Sequence, residues 1–228
     1  KGNNAGVRFA VRENQADYVL ISNPDVMFSE ECLKKMLHVF ESHPDVAAVT
    51  ARMEDARYGT QKNAWPLRGF WGELLSMGPV SRRLFRPFLE YPERRFQGKK
   101  AVYTDAVHGS LFLVDGKKFL TCGGYDEGIF LYQEEAVLAQ RFRRAGYRSV
   151  LLLNCSYRHE HSVSISKSFQ GELERQRLRE ESVLYYMQHY LSAGPWKIRL
   201  AKCWFRGIRM EIRAARMAEA VIALRRKN

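Results

Sequence analysis

Tyr18-Val-Leu-Ile-Ser-Asn-Pro-Asp25-Val-Met-Phe28 is the stretch on which the reading of this chain turns. Tyr18 to Ile21 is an uncharged run of β-formers, suited to a strand buried on both faces of a parallel sheet. Pro24 ends the run, because proline has no N–H for the ladder and forces an extended residue before it. Asp25 is therefore expected just past the carboxyl end of a central strand, where open α/β sheets bind their ligands. A carboxylate there, two residues after the Asn23 amide, suits a divalent cation held through oxygen. The same residues also make an ordinary turn, so the choice rests on the rest of the chain.

Upstream, Lys1-Gly-Asn-Asn4-Ala-Gly6 reads as a Gly/Asn-rich turn entering a short helix. Such a turn can bring N–H groups to a phosphate, or can be a plain helix entry. Downstream, Ser29 is an N-cap with Glu30 and Glu31 in the first turn. Leu33, Met36, Leu37 and Phe40 follow at helical spacing, and His43-Pro44-Asp45 stops the helix. Val46 to Thr50 reads as the next strand, completing a strand–helix–strand unit of a parallel sheet.

Glu54 to Lys100 holds no sustained period, and its aromatics (Trp65, Phe70, Trp71, Phe85, Phe88, Phe96) alternate with arginines. We read it as a partly helical insertion that bears on a substrate or a membrane surface. Order returns at Val102–Val107 and Ser110–Val114, two strands separated by His108-Gly109, then a short helix over Lys117–Thr121.

A second acidic segment follows, Tyr125-Asp126-Glu through Gln133-Glu134-Glu135-Ala-Val137. Val137, Leu138, Arg141 and Phe142 are at helical spacing and Gly146 is a natural stop, so Glu134 and Glu135 fall in a first helical turn. They can serve only the helix dipole. If one is the chemical group, its neighbour braces the turn, since adjacent residues cannot face one point. Ser149–Leu153 is a buried strand, followed by a polar loop with His159 and His161. One imidazole there could ligate a metal, or both could be exposed. From Phe169 the chain reads as helical, up to Gly194-Pro195. The tail from Trp196 sets Ala201, Trp204, Phe205, Ile208, Ile212, Ala215 and Ile222 against Lys202, Arg206, Arg209, Arg213 and Arg216. That face suits an anionic leaflet or the chain's own core.

The net charge of +12 over 228 residues calls for an acidic partner: nucleic acid, an anionic membrane or a phosphorylated substrate. Cys32, Cys122, Cys155 and Cys203 lie too far apart for a C-x-x-C or zinc pattern. No apolar run approaches the ~18 residues of a membrane span, and no helix-turn-helix, RNP or zinc-finger pattern supports nucleic-acid binding. No Ser/His/Asp or Cys/His signature points to covalent catalysis.

Three segments, in this order, resemble glycosyltransferase family 2, in its bacterial rhamnosyltransferase-like branch. They are Gly2–Val7; Tyr18–Val26; and Gly109-Ser-Leu-Phe-Leu-Val with Gly123-Gly-Tyr-Asp-Glu-Gly-Ile-Phe-Leu-Tyr-Gln-Glu-Glu135 to Tyr147. The resemblance covers about residues 1 to 165. It implies an α/β, GT-A-like (Rossmann-like) fold with a mixed, mainly parallel sheet flanked by helices, a nucleotide-diphospho-sugar donor and a divalent cation (Mg²⁺ or Mn²⁺). By the same resemblance the anomeric carbon is inverted and rhamnose is a candidate sugar. Asn23-Pro24-Asp25 stands where the family has its Asp-x-Asp element, so Asp25 is the expected metal ligand. Asn23 and Asn4 are expected on the donor side, and His159, with His161 as fallback, on the metal or diphosphate. Glu134-Glu135 replaces the family's Glu-Asp, which gives Glu135 the general-base role on a side chain one methylene longer. Acceptor contacts fall to His108, Gly109, Ser110, Asp126 and Trp71.

Family members begin with a strand–helix–strand segment that holds the nucleotide base, and nothing here corresponds to it. Either it precedes Lys1 in the natural protein or this chain does not bind donor in the usual way. The expectation is a partial GT-A domain over 1–165, with an insertion at about 54–100, and a basic helical extension over 166–228. Its acceptor would be lipid- or glycan-linked, at the inner face of the plasma membrane, with no nucleic acid and with the oligomeric state open. A catalytically incomplete binding fragment and a basic nucleic-acid binder are the alternatives.

Overall fold

The computed structural model describes residues 1–55, 59–61, 63–160 and 171–225. In chain order the elements begin α1 (Gly2–Arg12), β1 (Tyr18–Ser22), β2 (Val26–Phe28), α2 (Glu30–Ser42), β3 (Val46–Asp55), β4 (Gly59–Gln61) and β5 (Ala64–Trp65). Three short helices follow, α3 (Phe70–Ser76), α4 (Pro79–Leu84) and α5 (Arg86–Leu89). Then come β6 (Ala101–Thr104), β7 (Ala106–Val107), β8 (Leu111–Asp115), α6 (Gly116–Thr121), α7 (Glu134–Arg144) and β9 (Arg148–His159). Two long helices, α8 (Glu172–His189) and α9 (Pro195–Arg225), end the described chain.

The chain divides into two units, Lys1–Leu67 with Glu90–Val163, and Arg68–Leu89 with Ser164–Asn228. Of the expected insertion, only Arg68–Leu89 groups with the C-terminal helices; the residues either side of it group with the sheet.

The first unit is a seven-stranded sheet covered on both faces. Its strand order is β1-β8-β3-β9-β2, with β4 added to β3 and β6 to β9. Cys32, Met36, Val39 and Phe40 of α2 seal one face against Val49, Ala51, Leu113 and Leu152. Val7 of α1, Phe119 of α6 and Leu138 and Phe142 of α7 seal the other. The Ser29 hydroxyl accepts the Cys32 N–H at 3.1 Å, the local cap that starts α2 where the sequence places it. At each fully buried side chain the gain is of order 1.5–3 kcal/mol.

Two expectations about this sheet are corrected. It is mixed, as expected, but not mainly parallel: among the described residues only the β3–β9 pairing is parallel, and every other pairing in it is antiparallel. The strand–helix–strand unit β1-α2-β3 is present, yet β8 returns between β1 and β3, antiparallel to both. Tyr18–Ser22 is accordingly an edge strand, in which Ile21 alone is buried. An apolar run reports burial, not the number or direction of its neighbours.

The third correction concerns β9, which runs past Leu153 to His159 instead of ending in a polar loop. Its register against β3 jumps from Ala51↔Leu152 to Arg52↔Ser156, so residues 153–155 bulge and the strand resumes. Arg52 donates to the Leu153 carbonyl inside that bulge. Beyond it, Val26 pairs with His159 on one side and Asp55 with His159 on the other.

In the second unit, α8 and α9 pack with α3. Phe70 and Leu74 meet Val183, Met187, Ile198, Ala201, Phe205, Ile208 and Ile212 in one core. Of the apolar face read on the tail, Ala201, Phe205, Ile208 and Ile212 are turned inward into the chain's own core, whereas Trp204 and Ala215 are exposed and the Ile222 side chain lies outside the described residues. Arg209 pairs with the buried Glu180, which also accepts from Gln176.

Candidate active site

Four elements of the first unit deliver the acidic and histidine residues. Antiparallel pairing of β2 with β9 places Asp25 beside His159, and Oδ1 lies 3.3 Å from Nε2. The contact is enclosed, with 5% of the imidazole and 20% of the carboxylate exposed. Backbone holds it too, since Glu160 N–H donates to the Asp25 carbonyl at 3.0 Å. Asn23 is anchored in the same way, its N–H donating to Ser110 O at 2.8 Å, while its side chain is exposed.

The turn between β7 and β8 faces this pair. The His108 ring lies 6.0 Å from the His159 ring and meets the edge of Trp65 at 6.5 Å. Ser110 N–H donates to His108 Nδ1 at 3.1 Å, which assigns that nitrogen as acceptor and leaves the proton on Nε2. The buried Ser110 hydroxyl is 2.8 Å from the same nitrogen and 2.7 Å from the Tyr157 hydroxyl.

Gly109, in that turn, reaches the glutamates. Its N–H donates to Glu135 Oε1 at 3.2 Å. A Cβ on Gly109 would stand 3.0 Å from that oxygen, so glycine is what permits the approach. Burial, then the adjacent Glu134 carboxylate, pushes the Glu135 carboxyl up to about 8; its own N–H and that of Gly109 pull the other way. Burial raises Glu134 as well. Glu134 Oε2 is buried with no hydrogen-bond partner among the described residues.

Helix α7 begins without a side-chain cap, from two successive residues in the left-handed region, Tyr132 and Gln133, both at φ 65°. Non-glycine residues there cost about 1–3 kcal/mol each and cluster where a side chain must be aimed. Here they set the first turn that carries Glu134 and Glu135.

Behind the glutamates stands Tyr125, a buried phenol raised well above its usual range by burial and then by Glu135 and Glu134. Asn4 holds it: Nδ2 donates to Tyr125 O at 2.9 Å, and Oδ1 accepts Tyr125 N–H at 2.9 Å. Asn4 is inside α1, not in a turn, and its amide is committed to protein. Gly124, at φ +58°, leaves room for that amide, since a Cβ would lie 2.8 Å from Asn4 Oδ1. Asp126 accepts from Gly128 N–H and stands 3.6 Å from Arg141, which itself holds the Gly123 and Gly124 carbonyls.

The structure therefore links Asp25, His159, His108, Ser110, Gly109 and Glu135 into one region. Trp71 is part of the second unit, on α3, and His161 lies outside the described residues. Tyr125, Tyr157, Trp65 and Asp55 are additions the sequence did not single out. Strand alternation marks Tyr157 only as a core position, and nothing in the run of tryptophans separates Trp65 from Trp71.

A divalent cation fits the Asp25–His159 pair. Ligand atoms at about 2.1 Å from one metal and at right angles to it are about 3.0 Å apart, close to the separation seen. Among the described residues no group of three or more His, Cys, Asp and Glu is set to hold a metal.

No family model matches the chain. It is 25% identical over 143 residues to the low-salt glycan biosynthesis hexosyltransferase Agl10 of Haloferax volcanii, covering 63% of this chain and 42% of that one. It is 26% identical over 156 residues to the N-acetylglucosaminyl-diphospho-decaprenol L-rhamnosyltransferase of Mycobacterium tuberculosis, covering 66% and 49%. It is 27% identical over 155 residues to rhamnosyltransferase WbbL of Escherichia coli, covering 63% and 52%. The chain thus spans about half the length of the curated relatives it matches. The structure of GalNAc-T7 with UDP, GalNAc and Mn²⁺ superposes with a TM-score of 0.51 at 10% identity, covering 82% of this chain and 42% of that one. The fold and the matched relatives agree with the resemblance read from the three segments.

Proposed function

From a GT-A fold whose sequence resembles the rhamnosyltransferase-like branch of glycosyltransferase family 2, we propose that the chain is the catalytic part of an inverting glycosyltransferase. It would move a sugar, rhamnose being the first to test, from a nucleotide diphosphate to a lipid- or glycan-linked acceptor. The observation that supports this most is the meeting of Asp25 with His159, more than a hundred residues apart in the chain, and of Gly109 with Glu135, in one region joined by His108.

Asp25 and His159 would hold a cation, which when bound supplies positive charge to the leaving diphosphate. The acceptor hydroxyl approaches the anomeric carbon from the opposite side; as the new glycosidic bond forms, the bond from that carbon to the diphosphate oxygen breaks and the hydroxyl proton passes to the Glu135 carboxylate. That transfer needs an oxygen–oxygen distance of about 2.6–3.2 Å. Gly109 N–H orients the carboxylate, and the unpartnered Oε2 of Glu134 is free to accept from a second acceptor hydroxyl. Trp65, edge-on to His108, offers an apolar wall to a sugar ring.

The test is transfer by the full-length protein from a panel of nucleotide-diphospho-sugars to a polyprenyl-diphosphate-linked sugar, with and without Mn²⁺. Expected is Mn²⁺-dependent transfer with the product's anomeric configuration opposite to the donor's, read by NMR. Retained configuration, or full activity in a Glu134→Gln/Glu135→Gln double variant, overturns the reading.

A further inference from the structure

The second unit holds 18 of the Lys and Arg residues against 7 Asp and Glu. Its formal charge of +11 is nearly all of the chain's +12. The same unit carries nine of the fourteen large hydrophobic side chains exposed among the described residues. Its own core does not account for them, because Ala201, Phe205, Ile208 and Ile212 of α9 are already buried against α3 and α8.

The exposed residues are ordered. Val80, Leu84 and Phe88 recur every four residues along α4 and α5, at 65%, 70% and 84% exposure. Exposed Arg82, Arg83 and Arg86 stand between them. The segment is closed at its base, where Arg68 Nε donates to Leu89 O at 3.1 Å, and is seated on α9, where Gly78 approaches Ile208. Trp71 and Trp196 are both more than half exposed, and the Lys197 ammonium lies 5.5 Å from the Phe70 ring and 5.7 Å from that of Trp196.

We infer that Arg68–Leu89, with the start of α9, docks on an anionic lipid surface. A bilayer interface offers acyl chains to Leu84 and Phe88 and, a few ångströms higher, anionic head groups to the exposed Arg82, Arg83 and Arg86. Tryptophans at the polar–apolar boundary fit that depth. A single strand of nucleic acid would match the charge but not the aliphatic row of Val80 and Leu84. No described helix is long and apolar enough to cross a membrane.

The test needs no sugar transfer, so its failure leaves the transferase reading untouched. The full chain is sedimented with phosphatidylcholine vesicles, with and without phosphatidylglycerol, at low and high salt. Expected is binding to the anionic vesicles alone, weakened by salt, with a blue shift in tryptophan fluorescence. Leu84→Ser/Phe88→Ser and Arg82→Gln/Arg83→Gln, all at exposed positions, should each lower partitioning at least about tenfold. Equal binding to neutral vesicles, variants that bind like the parent, or a self-associated chain with Phe88 covered would each overturn the inference. So would single-stranded RNA that outcompetes the vesicles.

Discussion

His159 Nε2 stands 3.3 Å from Asp25 Oδ1, two side chains 134 positions apart that the β2–β9 register brings together. If they share a cation, Asp25→Asn and His159→Gln should each weaken Mn²⁺ binding about 10–100-fold, read by titration calorimetry or by the electron-spin signal of free Mn²⁺. Unchanged affinity in both variants removes the pair from the metal site.

Glu135 makes a pH dependence of definite sign. Below about 4.5 both folded and unfolded chains hold its proton; between there and about 8 only the folded chain does. Stability from this group is therefore lost as pH rises through that window. Glu135→Gln should flatten the slope, so that above pH about 8 its Tm exceeds the parent's. As a base, Glu135 acts ionised, so transfer should rise with pH towards about 8 in the parent. In Glu135→Gln it should fall by about 10²–10⁴. Glu134→Gln, which keeps a hydrogen-bond acceptor at its place, should lose less.

Gly109→Ala would set a methyl 3.0 Å from Glu135 Oε1. The carboxylate is the part that can give, so kcat should fall towards about 10²-fold while the chain stays folded. Circular dichroism checks the second half, and an unimpaired kcat would show that the Gly109–Glu135 contact is idle.

Asn4→Ala strands the buried N–H and carbonyl of Tyr125. We expect a loss of about 2–4 kcal/mol in denaturant unfolding, without any effect on donor contacts that exceeds the loss of fold. A neutral substitution would show that Asn4 does not clamp this loop.

Gln133→Gly relieves one left-handed residue at the head of α7. Set against the entropy that glycine adds to the unfolded chain, a net gain of about 0.5–1 kcal/mol is expected. Catalysis should still suffer, because the first turn loses its fixed direction. A variant neither more stable nor slower would contradict the account of strain.

Local chemistry was enough for the helices that frame the site. Ser29 caps α2 and His43-Pro44 stops it, while Gly146, at φ +83°, ends α7. Each of these signals acts within a turn of itself, so the first-turn position of Glu134 and Glu135 was legible before any fold was known. The place of Asp25 just past a strand was legible for another reason: proline punctuates the strand whatever the strand pairs with.

The sheet was not legible in that way, because a strand's partners are chosen by backbone groups far along the chain. Only tertiary pairing could insert β8 between β1 and β3, or carry β9 through its bulge so that His159 returns to Asp25. The same holds for α9, whose amphipathic pattern fits a membrane or a core equally and was settled for Ala201, Phe205, Ile208 and Ile212 by α3 and α8 arriving on them. Hydrophobic period says which side of an element leaves water; what meets that side is decided by the rest of the molecule.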